Sequence, residues 1–344
     1  MTSDLQEKKL TTVHTDAGVE TRARKPSGFG VTAEKYGLLV VLLALIIVFA
    51  VGQQAFMTVA NWQAIASSLS VSIVISLALL LPIIAGKFDL SVGSIAVLSS
   101  LIGAKLMAEN HLSLGISIAV ALVIGVIIGA VNGFIVTVLG VNDFVATLGS
   151  STILLGVISW YSNDSSVSNG LSPALLDFGI ARLFGVPWVT ICSLLLAVVI
   201  GYVVRQTPFG RQLISIGSNS KAATLVGVRV DRNVRVTYVT SGLLGSLAGI
   251  VMIAQQGSAT SQINGLNLLI PALAAIFLGA SAFNPGQFNV LGTIVGLLLV
   301  AVAVSGLTLA GAPSWVSSVV NGLLLILAVA GSKLFKRRRG GRTA

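Results

Sequence analysis

The densest grouping of chemistry-bearing side chains is Asp89-Leu90-Ser91-Val92-Gly93-Ser94, a carboxylate followed closely by two hydroxyls. That spacing suits a helix start better than a catalytic centre. Asp89 is placed to cap the next helix, where its charge favours the N-terminus, and Ser91 and Ser94 add local hydrogen bonds. The other ionisable residues at or near apolar runs are Lys87, Lys105, Glu109 and Asp143. There is no GxSxG elbow, no HExxH pair and no pair of carboxylates within an apolar run. Gly86-Lys87 is followed by Phe88 and lacks the upstream glycine of a phosphate loop, so the chain does not hydrolyse nucleotide by that route. One cysteine (Cys192) and two histidines (His14 and His111) exclude a disulfide framework and a metal cluster.

The second notable stretch is a basic island, Arg205 to Arg235. It carries six cations (Arg205, Arg211, Lys221, Arg229, Arg232, Arg235) against one acid, Asp231. Inside it, Ser218, Asn219 and Ser220 offer N-cap oxygens, Lys221 to Val226 is helix-compatible, and Gly227 stands at the C-cap. A capped helix this short cannot fold alone, which points to a partner.

The elements that must position these residues are apolar. The chain of 344 residues is 55% hydrophobic and 9% charged, with mean hydropathy +0.96, where a soluble chain carries roughly 25% charged residues. The fold class is therefore an all-α polytopic membrane protein. A membrane helix needs about 20 apolar residues, which gives ten spans at 35–55, 64–85, 89–108, 113–138, 144–161, 187–204, 236–255, 266–283, 289–310 and 314–333. The third opens on charged residues, so both a full crossing and a re-entrant path stay open for it.

With the N-terminus inside, nineteen of the 21 Lys and Arg fall on the inner side and only Lys105 and Arg182 outside. That asymmetry selects N-in, C-in, and reads the net charge of +10 as orientation signal, not a nucleic-acid footprint. The domains are then a flexible cytoplasmic tail (1–33), one membrane domain (34–333) and a basic cytoplasmic tail (334–344). The membrane domain carries the cytoplasmic loop 205–235 and an irregular external loop, 162–186. The tail is no signal peptide, since five acids (Asp4, Glu7, Asp16, Glu20 and Glu34) precede the first apolar run and that run leads into no cleavage pattern.

In this topology Lys87, Asp89 and Asp143 sit at cytoplasmic hairpins, and Lys105 and Glu109 near an external one. No carboxylate needs to lie at mid-membrane, which counts against an ion-coupled secondary transporter, the alternative reading. A membrane-embedded enzyme would need a catalytic set that is missing. Polar residues within spans (Asn132, Thr147, Ser150, Ser151, Gln255, Gln256, Asn321) are candidates for a lined path or for interhelical hydrogen bonds. Gly125, Gly129, Gly133, Gly242, Gly245 and Gly249 have the spacing of close helix packing. Pro82, Pro271 and Pro313 mark bends or interruptions. Phe88-Asp89-Leu90 and Phe288-Asn289-Val290 begin similar clusters, a weak internal repetition.

Several stretches together resemble the permease subunits of bacterial ABC importers for ribose, xylose and related monosaccharides. They are Asp89 to Ser94, NGFIVTVLGVNDFVATLG (132–149, with Phe144 and Thr147), TPFGRQLISIGSNSKAATLVGV (207–228), SLAGI (246–250), FLGASAFNPGQFNVLGTIVG (277–296) and NGLLLILAV (321–329). The resemblance implies a ten-span permease in the bacterial cytoplasmic (inner) membrane that pairs with a second permease, alike or related. It also implies two cytoplasmic ABC ATPase subunits and an external solute-binding protein, with ATP and Mg on the ATPase and no cofactor on this chain. A short cytoplasmic helix couples such permeases to the ATPase, and Asn219, Lys221, Ala222, Ala223, Leu225 and Gly227 fall on it. Ser220 and Lys221 stand where many relatives carry acids, and Thr224 where they often carry Arg. Asp89, Ser91, Gly93 and Ser94 form the family motif at a cytoplasmic hairpin, and Asn132, Phe144, Thr147, Gln255 and Asn321 are the candidate translocation path. Lys87 and Pro271 depart from the ribose-type pattern, so the chain reads as a divergent subgroup whose solute is not legible.

Overall fold

Ten apolar helices form where the hydropathy is highest. The structure, a computed structural model, describes residues 28–283 and 286–340. The apolar helices are α1 (Gly28–Gly52), α2 (Val59–Ile84), α3 (Val92–Ala108), α4 (Leu114–Thr137), α5 (Asp143–Ser162), α7 (Trp188–Gln206), α10 (Val230–Gln256), α11 (Gly265–Gly279), α12 (Val290–Leu309) and α13 (Ser314–Gly340). Three shorter helices lie between them: α6 (Pro173–Ile180), α8 (Pro208–Ser218) and α9 (Ser220–Leu225). Among the described residues, six helices are long and apolar enough to cross a membrane, and four shorter apolar helices accompany them. Their ends carry local signals. Asn142 Oδ1 accepts from the Phe144 and Val145 amides to start α5, and Asn289 Oδ1 accepts from the Gly292 amide to start α12.

α10 is the hub. It lies along α4 and is flanked by α2 and α3, while α11 packs on α12 and α13 and also reaches α2 and α3. α3 is almost wholly enclosed, whereas α4 buries the stripe Ala121, Gly125, Gly129, Asn132 and exposes Val123, Ile127 and Val131. Exposed aliphatics on a membrane helix face lipid, so the small-residue stripe is what the protein keeps for itself. A Cβ on Gly242 would stand 2.1 Å from the Gly125 carbonyl oxygen, and one on Gly125 2.5 Å from that of Gly242. α4 and α10 therefore touch backbone to backbone. α2 and α11 run through Pro82 and Pro271 without interruption.

Two drawn boundaries and one loop differ from the observed elements. α1 begins at Gly28, inside the tail drawn at 1–33, and α13 continues to Gly340, inside the tail drawn at 334–344; residues 1–27 and 341–344 lie outside the described residues. The stretch 162–186, expected as an irregular external loop, carries short regular elements. β1 (Ser166–Val167) pairs antiparallel with β4 (Ala259–Thr260), α6 follows with Pro173 in its first turn, and β2 (Arg182–Leu183) pairs with β3 (Val186–Pro187). Phe184 and Gly185, both at positive φ (50° and 84°), make the two-residue turn between β2 and β3. Such short pieces carry too little periodicity to stand out among Ser, Asn and Gly.

The close approach of α4 and α10 is testable. Gly242→Ala is expected to lose about 1–3 kcal/mol to overpacking, whereas Gly149→Ala, with open space around its Cβ, should be neutral or gain up to about 1 kcal/mol. Thermal unfolding in detergent, followed by size-exclusion, checks the pair. Equal behaviour of the two variants would mean the contact is not tight.

Candidate functional site

The turn between α2 and α3 is tied into three other helices. Gly86 (φ 74°) reverses the chain after α2, and the Lys87 amide donates back to the Pro82 carbonyl at 2.9 Å. Phe88, Asp89, Leu90 and Ser91 then enter the bundle beside the first two turns of α5. The Phe88 amide donates to Asp143 Oδ2 at 2.7 Å, and the Leu90 amide to Thr147 Oγ1 at 3.0 Å. One turn further, the hydroxyls of Ser94 and Ser151 share a hydrogen bond of 2.8 Å.

Asp89 lies at the centre, with no exposed surface. A carboxylate enclosed this way needs several donors, because leaving water costs several kcal/mol. It accepts from the Ser91 amide (3.1 Å), the Ser91 hydroxyl and the Ser241 hydroxyl of α10 (2.7 Å). The adjacent cation does not join it, since Lys87 Nζ pairs with Asp143 at 3.7 Å. Around this centre, Asn132 Nδ2 donates to Ser91 Oγ at 2.8 Å while Asn132 Oδ1 accepts from Ser150 Oγ. The Tyr238 hydroxyl donates to the Phe88 carbonyl at 2.9 Å. The network thus joins the turn to α4, α5 and α10. Its groups are spent on each other, so its chemistry is to hold a backbone in place.

The basic island folds as two helices and not one. Thr207 Oγ1 accepts from the Gly210 amide and Pro208 opens α8, which buries Leu213 and Ile216. Asn219, extended at φ −160°, breaks the run and caps α9 by accepting from the Ala222 amide at 3.0 Å. Gly227, at φ 84°, closes α9: its amide reaches the Thr224 carbonyl and the Val228 amide the Ala223 carbonyl, both at 3.0 Å. That pair of bonds is a Schellman ending, which requires the left-handed conformation glycine adopts freely. Ala223 is buried beneath α9, while Leu225 and Val226 are 88% and 79% exposed.

α8 meets the α2–α3 turn directly. A Cβ on Gly217 would stand 2.0 Å from the Ile84 carbonyl oxygen, and one on Gly86 3.6 Å from the Gly217 Cα. The C-terminal end of α8 therefore rests on the backbone of the turn that carries Asp89.

The residues singled out in the sequence separate into groups. Asp89, Ser91, Ser94, Asn132 and Thr147 come together in the network. Gly93 lies apart from it, against α11, where a Cβ would meet the Gly265 carbonyl oxygen at 2.1 Å. Asn219, Lys221, Ala222, Ala223, Leu225 and Gly227 sit together on and just after α9. The five path candidates are not brought together. Asn132 and Thr147 are fully buried in the network, Phe144 is 51% exposed, Gln255 lies at the far end of α10, and Asn321, in α13, has an unpartnered Oδ1. Asp89 does not itself cap α3. Ser91 is the cap residue, and Asp89 holds its amide. Asn289, its counterpart in the repeated cluster, caps its own helix and holds the Gly279, Ala282 and Gln287 carbonyls with Nδ2, so the likeness is partial. Sequence reasoning missed Tyr238, Ser241 and Gly217. The first two share a helical face at three-residue spacing, a weak signal among many polar residues.

Because a hydrogen bond to a charged group contributes about 1.5–3 kcal/mol and one to a carbonyl about 1 kcal/mol, Ser241→Ala should destabilise the protein more than Tyr238→Phe. Chemical or thermal unfolding in detergent reads this order, and the reverse order would mean Asp89 is not the centre of the network.

Comparison with known proteins places this geometry. The family described as branched-chain amino acid transport system / permease component matches residues 61–329. The D-allose transport system permease protein of Escherichia coli (strain K12) is 28% identical over 319 residues, 92% of this chain and 97% of its own length. The ribose import permease protein of Bacillus subtilis (strain 168) is 31% identical over 297 residues, 86% of this chain and 92% of its own. The L-arabinose transport system permease protein of Escherichia coli (strain K12) is 31% identical over 305 residues, 88% and 91% of the two chains. No solved structure matches the chain. The family match takes in the Asp89 network and the helices α8 and α9, and with the apolar helices it identifies a multi-pass protein of the inner membrane: the chain belongs to the branched-chain amino acid transport system permease-component family.

Proposed function

We propose that this chain is the membrane-spanning permease subunit of an ATP-driven importer for a monosaccharide or similar small polar solute. The observation that carries the reading is its likeness, over most of its length, to permeases named for D-allose, ribose and L-arabinose. In this reading all ten apolar helices cross the membrane, with both termini inside as the distribution of cations favours. A cytoplasmic ATPase supplies ATP and Mg chemistry, an external binding protein delivers the solute, and a second permease completes the pore.

The geometry supports a route for the motion. α9 is the contact for the ATPase, with Asn219 and Gly227 fixing its ends and Leu225 offering its apolar tip. A push on α9 reaches α8 across Asn219. From α8 it passes at Gly217 to the Ile84–Gly86 backbone, and the hydrogen-bonded turn carries it to α4, α5 and α10. Alternating access then needs only that nucleotide and loaded binding protein favour different packings of these helices. Asn132 and Thr147 move with the turn. Phe144, Gln255 and Asn321 stay as candidates for the solute path.

Leu225→Arg tests this route in proteoliposomes holding the whole complex. Insertion and folding should be unchanged. Solute uptake should fall about tenfold or more, as expected for loss of an interface anchor, and ATP hydrolysis should no longer respond to the loaded binding protein. Normal uptake by this variant would remove α9 from the mechanism. Uptake in cells that survives ATP depletion but not an uncoupler would instead favour an ion-coupled carrier.

A further inference from the structure

Beside α9, the first turns of α10 and α9 enclose an open recess of about 600 Å³. Lys221, Arg229, Arg232 and Arg235 line it, all exposed, and Asp231 is its one acid. The ion pairs among the described residues are Lys87–Asp143 and Lys105–Glu109, so none of these four cations has a carboxylate partner among the described residues. Four cations around one concavity repel each other, and an anion entering it would relieve that repulsion in a partly desolvated setting. Immediately next to the recess, Leu225 and Val226 stand in the open on the rigid Schellman ending of α9.

We infer that this recess and the Leu225–Val226 tip form one docking surface, whose partner is an ATPase subunit with an apolar socket flanked by Asp and Glu side chains. The inference rests on the proposed coupling to an ATPase and adds the chemistry of the partner's face. A concave recess beside a protruding apolar tip fits side chains of a folded partner better than a flat lipid surface. The apolar contact supplies lifetime, and the unpaired cations supply orientation and encounter rate. Such a surface discriminates between ATPases, because a partner with basic groups in the socket rim would face four cations.

The test uses the full-length chain in nanodiscs of phosphatidylcholine and the ATPase that copurifies with it. Association is measured by biolayer interferometry between about 0.05 and 0.5 M salt, a range over which screening lengths shorten severalfold. The expected result is an affinity that falls at least about tenfold across this range, and that falls comparably for the double variant Lys221→Glu/Arg232→Glu at low salt. Arg205→Glu and Arg211→Glu, island cations outside the recess, should bind as the parent does. Leu225→Ala should weaken binding without changing its salt dependence. If Leu225→Ala weakens binding while salt and charge reversal do not, the ATPase contact stands and the acidic socket is overturned. If no variant changes binding, both fail. If the charge-reversed chain binds the ATPase normally but loses affinity for phosphatidylglycerol vesicles, the recess serves lipid and the inference is overturned.

Discussion

The fully enclosed Asp89 carboxylate is the constraint on which the rest of this structure depends. No cation pairs with it among the described residues, so its charge is tolerated only while Ser91 and Ser241 donate to it. Those donors come from its own turn and from α10, and the Ser91 hydroxyl is in turn held by Asn132 of α4. Displacing α10 leaves the buried charge short of a donor, and displacing α4 leaves the Ser91 hydroxyl without its Asn132 partner. The turn, α4 and α10 are thereby held to one arrangement, and the Phe88, Leu90 and Ser94 bonds add α5 to the set. A network of this kind in a membrane bundle favours motion as a unit over independent sliding, because partial loss is more costly than collective displacement.

Around that unit the packing is close and apolar. In lipid there is no hydrophobic gain from bringing two helices together, so contact area and backbone approach decide which faces meet. The Gly125–Gly242 approach of α4 and α10 and the Gly93–Gly265 approach of α3 and α11 serve this purpose. The Gly217 contact differs in kind. It joins the amphipathic helix α8 to the end of a membrane helix, next to the one turn among the described residues that carries a buried carboxylate. That adjacency makes the basic island a mechanical neighbour of the bundle's centre.

Much of this was legible in the residues. Each predicted span overlaps one observed apolar helix, since hydropathy over about 20 residues is the strongest signal a chain can carry. Gly227 was readable as a cap, and Asn219 as one of three N-cap candidates with Ser218 and Ser220, because capping is local. Legibility ends where partners are distant in sequence. Nothing in Ser241 or Tyr238 announces that they reach Asp89 and Phe88, more than a hundred residues away. Asn132 and Thr147 read equally as pore-lining or interhelical, and only the three-dimensional pairing assigns them to the turn. The split of the island into α8 and α9 hinges on one extended residue, and α6 with its flanking two-residue strands is too short for a periodicity to emerge.

The central claim is that α8 and the α2–α3 turn move as one body when the nucleotide state changes. A spin-label pair at Ser218 and Lys87 measures this most directly, because Ser218 is exposed and the Lys87–Asp143 pair is partly solvated; such a pair contributes little to stability. In the reconstituted complex, the distance between these labels should stay the same with ATP trapped and with nucleotide removed, while distances from either label to Trp315 on α13 change together. A Ser218–Lys87 distance that changes with nucleotide while the turn keeps its place relative to Trp315 would contradict the account.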